Sequence, residues 1–478
     1  MTGLFRPVIL RLSKDLLASR WRFCYQNDPM ILRRNSFLGA VALFFVFTTS
    51  LFAQSEGSSP LRLSLEECLQ QANQNNEKLK ARGYAIEGAQ RRRVETLARF
   101  KPIIEYSNRM APVPIDADNP VQNFSEGDLT YFNALRVNVV APIYAFGKLT
   151  KTRLLAEQGI KDARQKMEMD ETELRYQVKQ LYYGVLLGQE LSELIQDALQ
   201  KIDKELSQEE TTQEHSPYQI AKLKVFKLEL EKRLDEAQDK AWMAKEGLRF
   251  QIGLPEEKDF SLAQSYLNPV SDLLKPLRYY LELAKSQRPD LELMDIGVEA
   301  KKLEWELEKR KFFPDFGMGA FYDIGRTTDP IRNLKASDSL TNPFNYNRAG
   351  IGLEIRGQLD WHTFWSRAKR LRLEYKKTIM EASFAKKGIN LDVEKSFETA
   401  KTQKENLRRS EERQKLARQM LFLSKSNLEL GVGKEEDYTD ALQLVLSSKA
   451  DYLKTVFDYN VALAELDWKV GVKTDEKN

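Results

Sequence analysis

Four stretches of the chain alternate apolar and polar residues with a period of two. In residues 103–110, Ile104, Tyr106 and Met110 share one face against Glu105, Ser107 and Arg109; in 129–140, Tyr131, Leu135, Val137 and Val139 oppose Thr130, Arg136 and Asn138. The third stretch, 315–324, sets Phe316, Met318, Ala320, Tyr322 and Ile324 against Asp315, Gly317, Gly319 and Asp323. The fourth, 348–356, sets Ala349, Ile351, Leu353 and Ile355 against Arg348, Gly350, Gly352, Glu354 and Arg356. This pattern predicts four strands of roughly 9–11 residues, the length a tilted strand needs to cross a bilayer. A half-buried antiparallel sheet in a soluble domain would alternate in the same way. Two neighbouring features favour the bilayer. The loops 111–128 and 325–347 are long, polar and rich in Pro, Asp and Asn, and aromatic residues crowd the opposite strand ends: Tyr144 and Phe146 in one half, Trp361, Phe364 and Trp365 in the other. Such rings read as an interfacial girdle. Four strands cannot close a barrel, and lipid tolerates no open strand edge, so the bilayer reading also requires an oligomer.

Between the strands the period changes. No proline interrupts the chain from Ala145 to Gln213 or from Trp361 to Leu430, and each run predicts a helix on the order of 100 Å long. Ile195, Leu199, Ile202 and Leu206 step by four, three and four residues, and Phe226, Leu230, Leu234, Ala237, Ala241, Ala244 and Leu248 continue the pattern after a break; Leu442, Val445, Leu453 and Val456 match it later. These are coiled-coil-like seams. A soluble coiled-coil rod is the simplest reading of the helices alone.

The landmarks recur. Leu65-Glu66-Glu67-Cys68-Leu69 opens a helical pattern that ends near Phe100-Lys101-Pro102; Tyr280-Leu281-Glu282-Leu283-Ala284 opens another, ending at Phe312-Phe313-Pro314. The break at His215-Ser216-Pro217 answers Leu430-Gly431-Val432-Gly433. The chain therefore reads as a tandem duplication, 54–275 and 276–478, each half running helix, strand, loop, strand, long helix, break, helix.

Composition first alters this picture at the N-terminus. The basic head Ile31-Leu32-Arg33-Arg34, the apolar run from Ser36 to Phe52 and Ala53 have the parts of a signal peptide, residues 1–53, with Met30 as an alternative initiator. A retained anchor is the alternative, for which the apolar run is short. The full chain of 478 residues has 74 Lys and Arg against 70 Asp and Glu, but the segment after Ala53 is close to neutral. No nucleic-acid partner is implied. With two cysteines and two histidines in the whole chain, neither a disulfide scaffold nor a zinc cluster is expected. No catalytic constellation, metal site or cofactor motif is apparent. Cys68 reads as a packed small residue, and Arg91-Arg92-Arg93 as a solvated helix face.

The order of elements resembles the TolC family of outer-membrane efflux channels over nearly the whole chain after the signal. The residues that carry the likeness are Leu65 to Leu69 with Asn75-Asn76, Lys101-Pro102, and Val139-Val140-Ala141-Pro142-Ile143-Tyr144-Ala145-Phe146-Gly147-Lys148. Further matches are Phe250-Gln251-Ile252-Gly253-Leu254-Pro255, Leu466-Asp467-Trp468-Lys469-Val470-Gly471, and Gly431 to Gly433 leading to Asp437-Tyr438-Thr439-Asp440-Ala441. The resemblance implies a mixed α and β fold in which helix-strand-strand-helix units form a homotrimer. Its 12-stranded outer-membrane β-barrel, set in outer-membrane lipid, would continue as a long α-helical periplasmic barrel. It implies a passive exit duct that a periplasmic adaptor and an inner-membrane transporter would open, for efflux or type I secretion. It places Pro217, Gly431 and Gly433 at the periplasmic tip turns, and Asp437 and Asp440 in a pore-constricting acidic ring. The ordinary alternative for these two aspartates is an acidic helix start favoured by the helix dipole. The chain departs from the family where some members latch the tip with Tyr and Arg: Leu428 and Gly433 stand there. The first tip, Ser216-Pro217-Tyr218-Gln219, also lacks an Asp found in several members. The competing function is a periplasmic coiled-coil scaffold or adaptor with a soluble sheet.

Overall fold

The computed structural model describes residues 61–472, apart from 213–216, 272–273, 335–341 and 359. The expected signal peptide, and His215 and Ser216 of the first tip, lie outside the described residues. The first half begins with β1 (Leu61–Leu63), α1 (Leu65–Asn75) and α2 (Glu77–Ala98), followed by β2 (Ile103–Pro114), α3 (Pro120–Glu126) and β3 (Leu129–Tyr144). It continues through α4 (Lys148–Thr212), α5 (Pro217–Ile252) and β4 (Phe260–Leu262). The second half runs α6 (Leu277–Gln287), α7 (Pro289–Arg310), β5 (Asp315–Thr327), β6 (Tyr346–Arg356), α8 (Trp361–Glu429) and α9 (Glu435–Val470). Both long helices form where proline is absent, at 65 and 69 residues.

Local chemistry sets the boundaries. Ser64 caps α1 reciprocally: its hydroxyl accepts from the Glu67 amide at 3.3 Å, and the Glu67 carboxylate accepts from the Ser64 amide at 2.7 Å. Pro120 at the first position and Gly127 in the left-handed region just past the end define α3 inside a segment expected to be a loop. The strands also run further into the expected loops than alternation indicated, to Pro114 and Thr327.

The main sheet has the order β2-β3-β5-β6, antiparallel throughout. Its central seam joins β3 to β5, which come from different halves of the chain. Pro142 lacks the amide a ladder needs, and the β3–β5 register shifts immediately after it. Among the described residues, β2 and β6 have no partner on their outer edges.

Below the sheet the helices bury a conventional core. Leu69, Val178, Tyr182, Leu186, Leu248, Ile252, Phe260 and Val456 pack together where the short parallel pair β1–β4 meets α1, α4, α5 and α9. Cys68 sits inside this cluster, and burial pushes its thiol up to about 12, so it is a packed, unreactive group. The α4–α5 seam buries Ile195, Ile202, Leu230 and Ala237, as their spacing predicted. Its tightest crossing is at Gly188, where a Cβ would stand 2.5 Å from the Ala241 Cβ and 2.8 Å from its Cα. The crossover strap before α6 is pinned by two side chains, the half-buried Glu190 and the buried Asn460. Glu190, whose carboxyl burial pushes up, accepts from the Leu267 amide, and Asn460 bonds the Val270 amide and the Asn268 carbonyl, each at 2.9 Å.

Arginines do more than solvate. Arg91 and Arg92 are exposed, but Arg93 reaches Glu157 on α4 at 3.3 Å, correcting the expectation of a uniformly solvated face. A stronger tie joins the same two helices. Burial alone would raise the Asp170 carboxyl, but hydrogen bonds from Arg82 and Lys78 outweigh it and hold the group below the ordinary carboxylate range. A depressed folded value stabilises the protein above the unfolded carboxylate range, and that stabilisation is lost as pH falls through the folded value. Asp170→Asn is therefore expected to lower the melting temperature at pH 7, with the gap to the parent chain closing below about pH 4. A gap unchanged down to pH 3 would refute this account.

Candidate functional site

The register sorts the strand side chains onto two unequal faces. One face carries Ile104, Tyr106, Val137, Val139, Met318, Tyr322, Ile351, Leu353 and Ile355. Many of these are open to the outside: Tyr106 and Ile351 are 80% exposed and Leu353 is 81% exposed. The opposite face carries Glu105, Ser107, Arg109, Arg136, Asn138, Asp323 and Arg348, and here Asp323 is only 4% exposed. A sheet in water buries its apolar side. This one exposes it, and covers part of its polar side instead.

Glycines on the polar face make room for rings across the ladder. A Cβ on Gly350 would stand 2.6 Å from the Phe321 ring, and one on Gly325 would stand 2.5 Å from Tyr346. At the loop end, the two hairpins are joined through Asp116, whose carboxylate accepts from Asn333 Nδ2 at 3.0 and 3.1 Å. The backbone adds Arg332 N–H to the Ile115 carbonyl at 2.7 Å.

At the helix end of the strands, the five aromatic residues singled out by sequence form one string of rings with three more. Tyr144 meets Phe146 edge-on at 4.8 Å; Phe146 stacks on Phe313 at 5.1 Å and lies 5.9 Å from Phe316. Phe313 touches Phe312, which packs against Trp361 and Phe364, each at 5.2 Å, and Phe364 meets Trp365 at 5.4 Å. Sequence reasoning used Phe312-Phe313 only as punctuation, yet these rings connect the two halves. Trp361 and Trp365 remain more than half exposed. The backbone beneath is clamped as well: Arg310 Nη1 donates to the Phe146 carbonyl at 2.9 Å, and Lys148 Nζ donates to the Phe313 carbonyl and the Asp315 carboxylate, both at 2.7 Å.

At the far end of the helices, Pro217 begins α5 and Gly431 ends the α8 turn with φ +72. Gly431 and Gly433 donate to the Leu428 and Asn427 carbonyls at 3.0 and 2.9 Å. A Cβ on Gly433 would stand 2.8 Å from the Leu428 nitrogen, so the turn leaves no room for a side chain there. Asp437 and Asp440 lie one helical turn apart on α9, but their surroundings differ. Asp437 is exposed in the first turn. Asp440 accepts from Lys222 Nζ of α5 at 3.0 Å, and Glu436 stands 3.9 Å from the same ammonium. The bond to Asp440 raises the Lys222 ammonium above its ordinary value, against a smaller opposing effect of burial. Lys222 was not legible in the sequence, because its partner is 218 positions away. Among the described residues no group of acidic, histidine and cysteine side chains is arranged to hold a metal, and no helix is long and apolar enough to cross a membrane.

No protein-family model and no curated protein matches the sequence. Solved structures do match the fold. The Campylobacter jejuni CmeC outer membrane channel superposes with a TM-score of 0.71 at 14% identity, covering 87% of each chain. The Neisseria gonorrhoeae MtrE outer membrane channel in its open state gives 0.70 at 14%, covering 86% of this chain and 89% of its own. The outer membrane protein VceC of Vibrio cholerae gives 0.69 at 14%, covering 85% and 96%. The exposed apolar sheet and the long helical hairpins of this chain thus belong to the fold of these outer-membrane channels.

Proposed function

We propose that this chain is a non-enzymatic exit duct of the outer membrane. The observation that carries the reading is the inverted sheet: its apolar face is open to the outside, buried positions such as Asp323 and Tyr346 lie on its polar face, and among the described residues both outer edges lack partners. Lipid satisfies the apolar face, and only more strands satisfy the edges. Three copies pairing β2 of one with β6 of the next give twelve strands around a polar lumen. The aromatic string then lies at the inner interface. The helices α4, α5, α8 and α9 extend into the periplasm as the conduit, with the halves 54–275 and 276–478 as repeats. Transport is passive, powered by an inner-membrane pump through a periplasmic adaptor, in efflux or type I secretion.

The test is fractionation of the expressed full-length chain, with the outer-membrane extract run unboiled and boiled on a denaturing gel. The expected result is detergent-dependent recovery and a trimer that boiling dissociates. A soluble periplasmic monomer would overturn the reading in favour of a scaffold.

At the tip, Asp437 is assigned to the pore. A threefold ring of carboxylates in a narrow tube favours cations. Asp440 is partly neutralised by Lys222, so its contribution is smaller. In planar bilayers Asp437→Asn is therefore expected to weaken cation preference more than Asp440→Asn does. Equal or absent effects would remove the ring assignment.

A further inference from the structure

Two adjacent rungs of the sheet carry excess positive charge on the polar face. The register sets Ser107, Arg136, Asp323 and Arg348 side by side in one rung, and Arg109, Ala134, Gly325 and Tyr346 in the next. Three arginines thus share this band with one carboxylate. Asp323 is 4% exposed and already engaged: Arg136 Nε donates to its Oδ2 at 3.1 Å and Nη2 donates to the same oxygen at 2.5 Å. The Arg348 guanidinium lies 4.6 Å from the centre of the Tyr346 ring, and its Nη2 donates to the Asn342 carbonyl at 3.1 Å. Arg109 is exposed. Whichever arginine the carboxylate serves, the two rungs keep a net charge of +2.

The surroundings only partly offset this. The next rung toward the helices adds one acid, Glu105; beyond it Glu354 is paired with Arg356 at 2.8 Å, and Asp315 with Lys148 at 2.7 Å. The rung toward the loops, Ala111, Phe132 and Thr327, has no charge. Rungs on one face are about 7 Å apart, within the roughly 8–10 Å over which charges interact at physiological salt, so the band is felt as one basic level.

We propose that Arg109, Arg136 and Arg348 form a selectivity belt for anionic groups, attracting the phosphate, carboxylate or sulfonate of a cargo molecule into the barrel. The inference rests on the channel reading, which turns this face to the lumen and brings three copies of the band to one level. The belt and the acidic tip then act in series at opposite ends of the route.

The test uses the full-length trimer in planar bilayers under a salt gradient, with inorganic tripolyphosphate added from the barrel side as a probe. Arg109→Glu combined with Arg348→Gln leaves the Arg136–Asp323 pair in place. The expected result is an anion-to-cation permeability ratio lowered about two- to threefold, together with weaker tripolyphosphate block. Arg109→Gln alone, on the exposed edge strand, is expected to move both readouts in the same direction by a smaller amount, and serves if the double variant does not assemble. Wild-type conductance with neither readout altered in the assembled variants overturns the belt alone. A wild-type chain that forms trimers but gives no conductance overturns the channel reading and the belt with it.

Discussion

Leu353→Arg is expected to abolish recovery of the protein from the outer membrane. The same change would be nearly silent if the sheet faced water, and that contrast gives it its force. Leu353 is 81% exposed, so little of its surface is buried in this chain. In water, substitutions at such a position usually fall within about 0.5 kcal/mol of neutral. On the lipid face of a barrel an arginine near mid-depth costs about 2–4 kcal/mol, and a threefold assembly incurs the cost at three places. Leu353 lies near the middle of its apolar row, opposite Met318 and between Ile351 and Ile355. The measurement is the amount of heat-dissociable trimer in the outer-membrane fraction, compared with Gly352→Arg on the opposite face, where a Cβ meets nothing within 4 Å. Loss at Leu353 with retention at Gly352 supports the lipid-facing assignment. Equal tolerance at both positions would refute it.

The second large effect is expected inside the helical region. Gly188→Ala should separate α4 from α5, because the added methyl meets the backbone of Ala241 rather than the end of a flexible side chain. Overpacking of this kind costs roughly 1–3 kcal/mol, and it must also outweigh the up to 1 kcal/mol that alanine gains over glycine in a helix. Gly159→Ala, in the same helix with nothing within 4 Å of the added carbon, isolates that gain. The melting temperature should fall for Gly188→Ala and rise slightly for Gly159→Ala. A rise for both would mean that the helices are not held at this distance.

How much of this was legible beforehand depended on whether the signal was local. The two faces of each strand were readable, because alternation is a property of neighbouring residues; every face assignment from Ile104 to Arg356 agrees with the observed register. The long helices were readable from uninterrupted chain. The α3 turn was missed, although Pro120 and Gly127 are ordinary start and stop signals, because the polar composition between them suggested only a loop. The pairings Arg136–Asp323 and Lys222–Asp440 were beyond reach: they join positions 187 and 218 apart, and nothing in either local sequence names the partner. The aromatic string was half legible. Its members next to the strand ends and the α8 start stood out, while Phe312 and Phe313 were read as a boundary and proved to be the bridge.

The seam between β3 and β5 has a consequence for how the molecule is put together. Each half of the chain brings one pair of strands, but β2 joins β3 while β5 joins β6, so neither half alone brings more than two strands to the sheet. A two-stranded ribbon is marginal by itself in water. The middle ladder closes only after the second half has been synthesised, across the intervening segment from α4 to α7. In synthesis from the N-terminus the first ribbon therefore exists before either strand it must be joined to, and the pairing that completes the sheet is a late, long-range step exposed to misassembly until it closes.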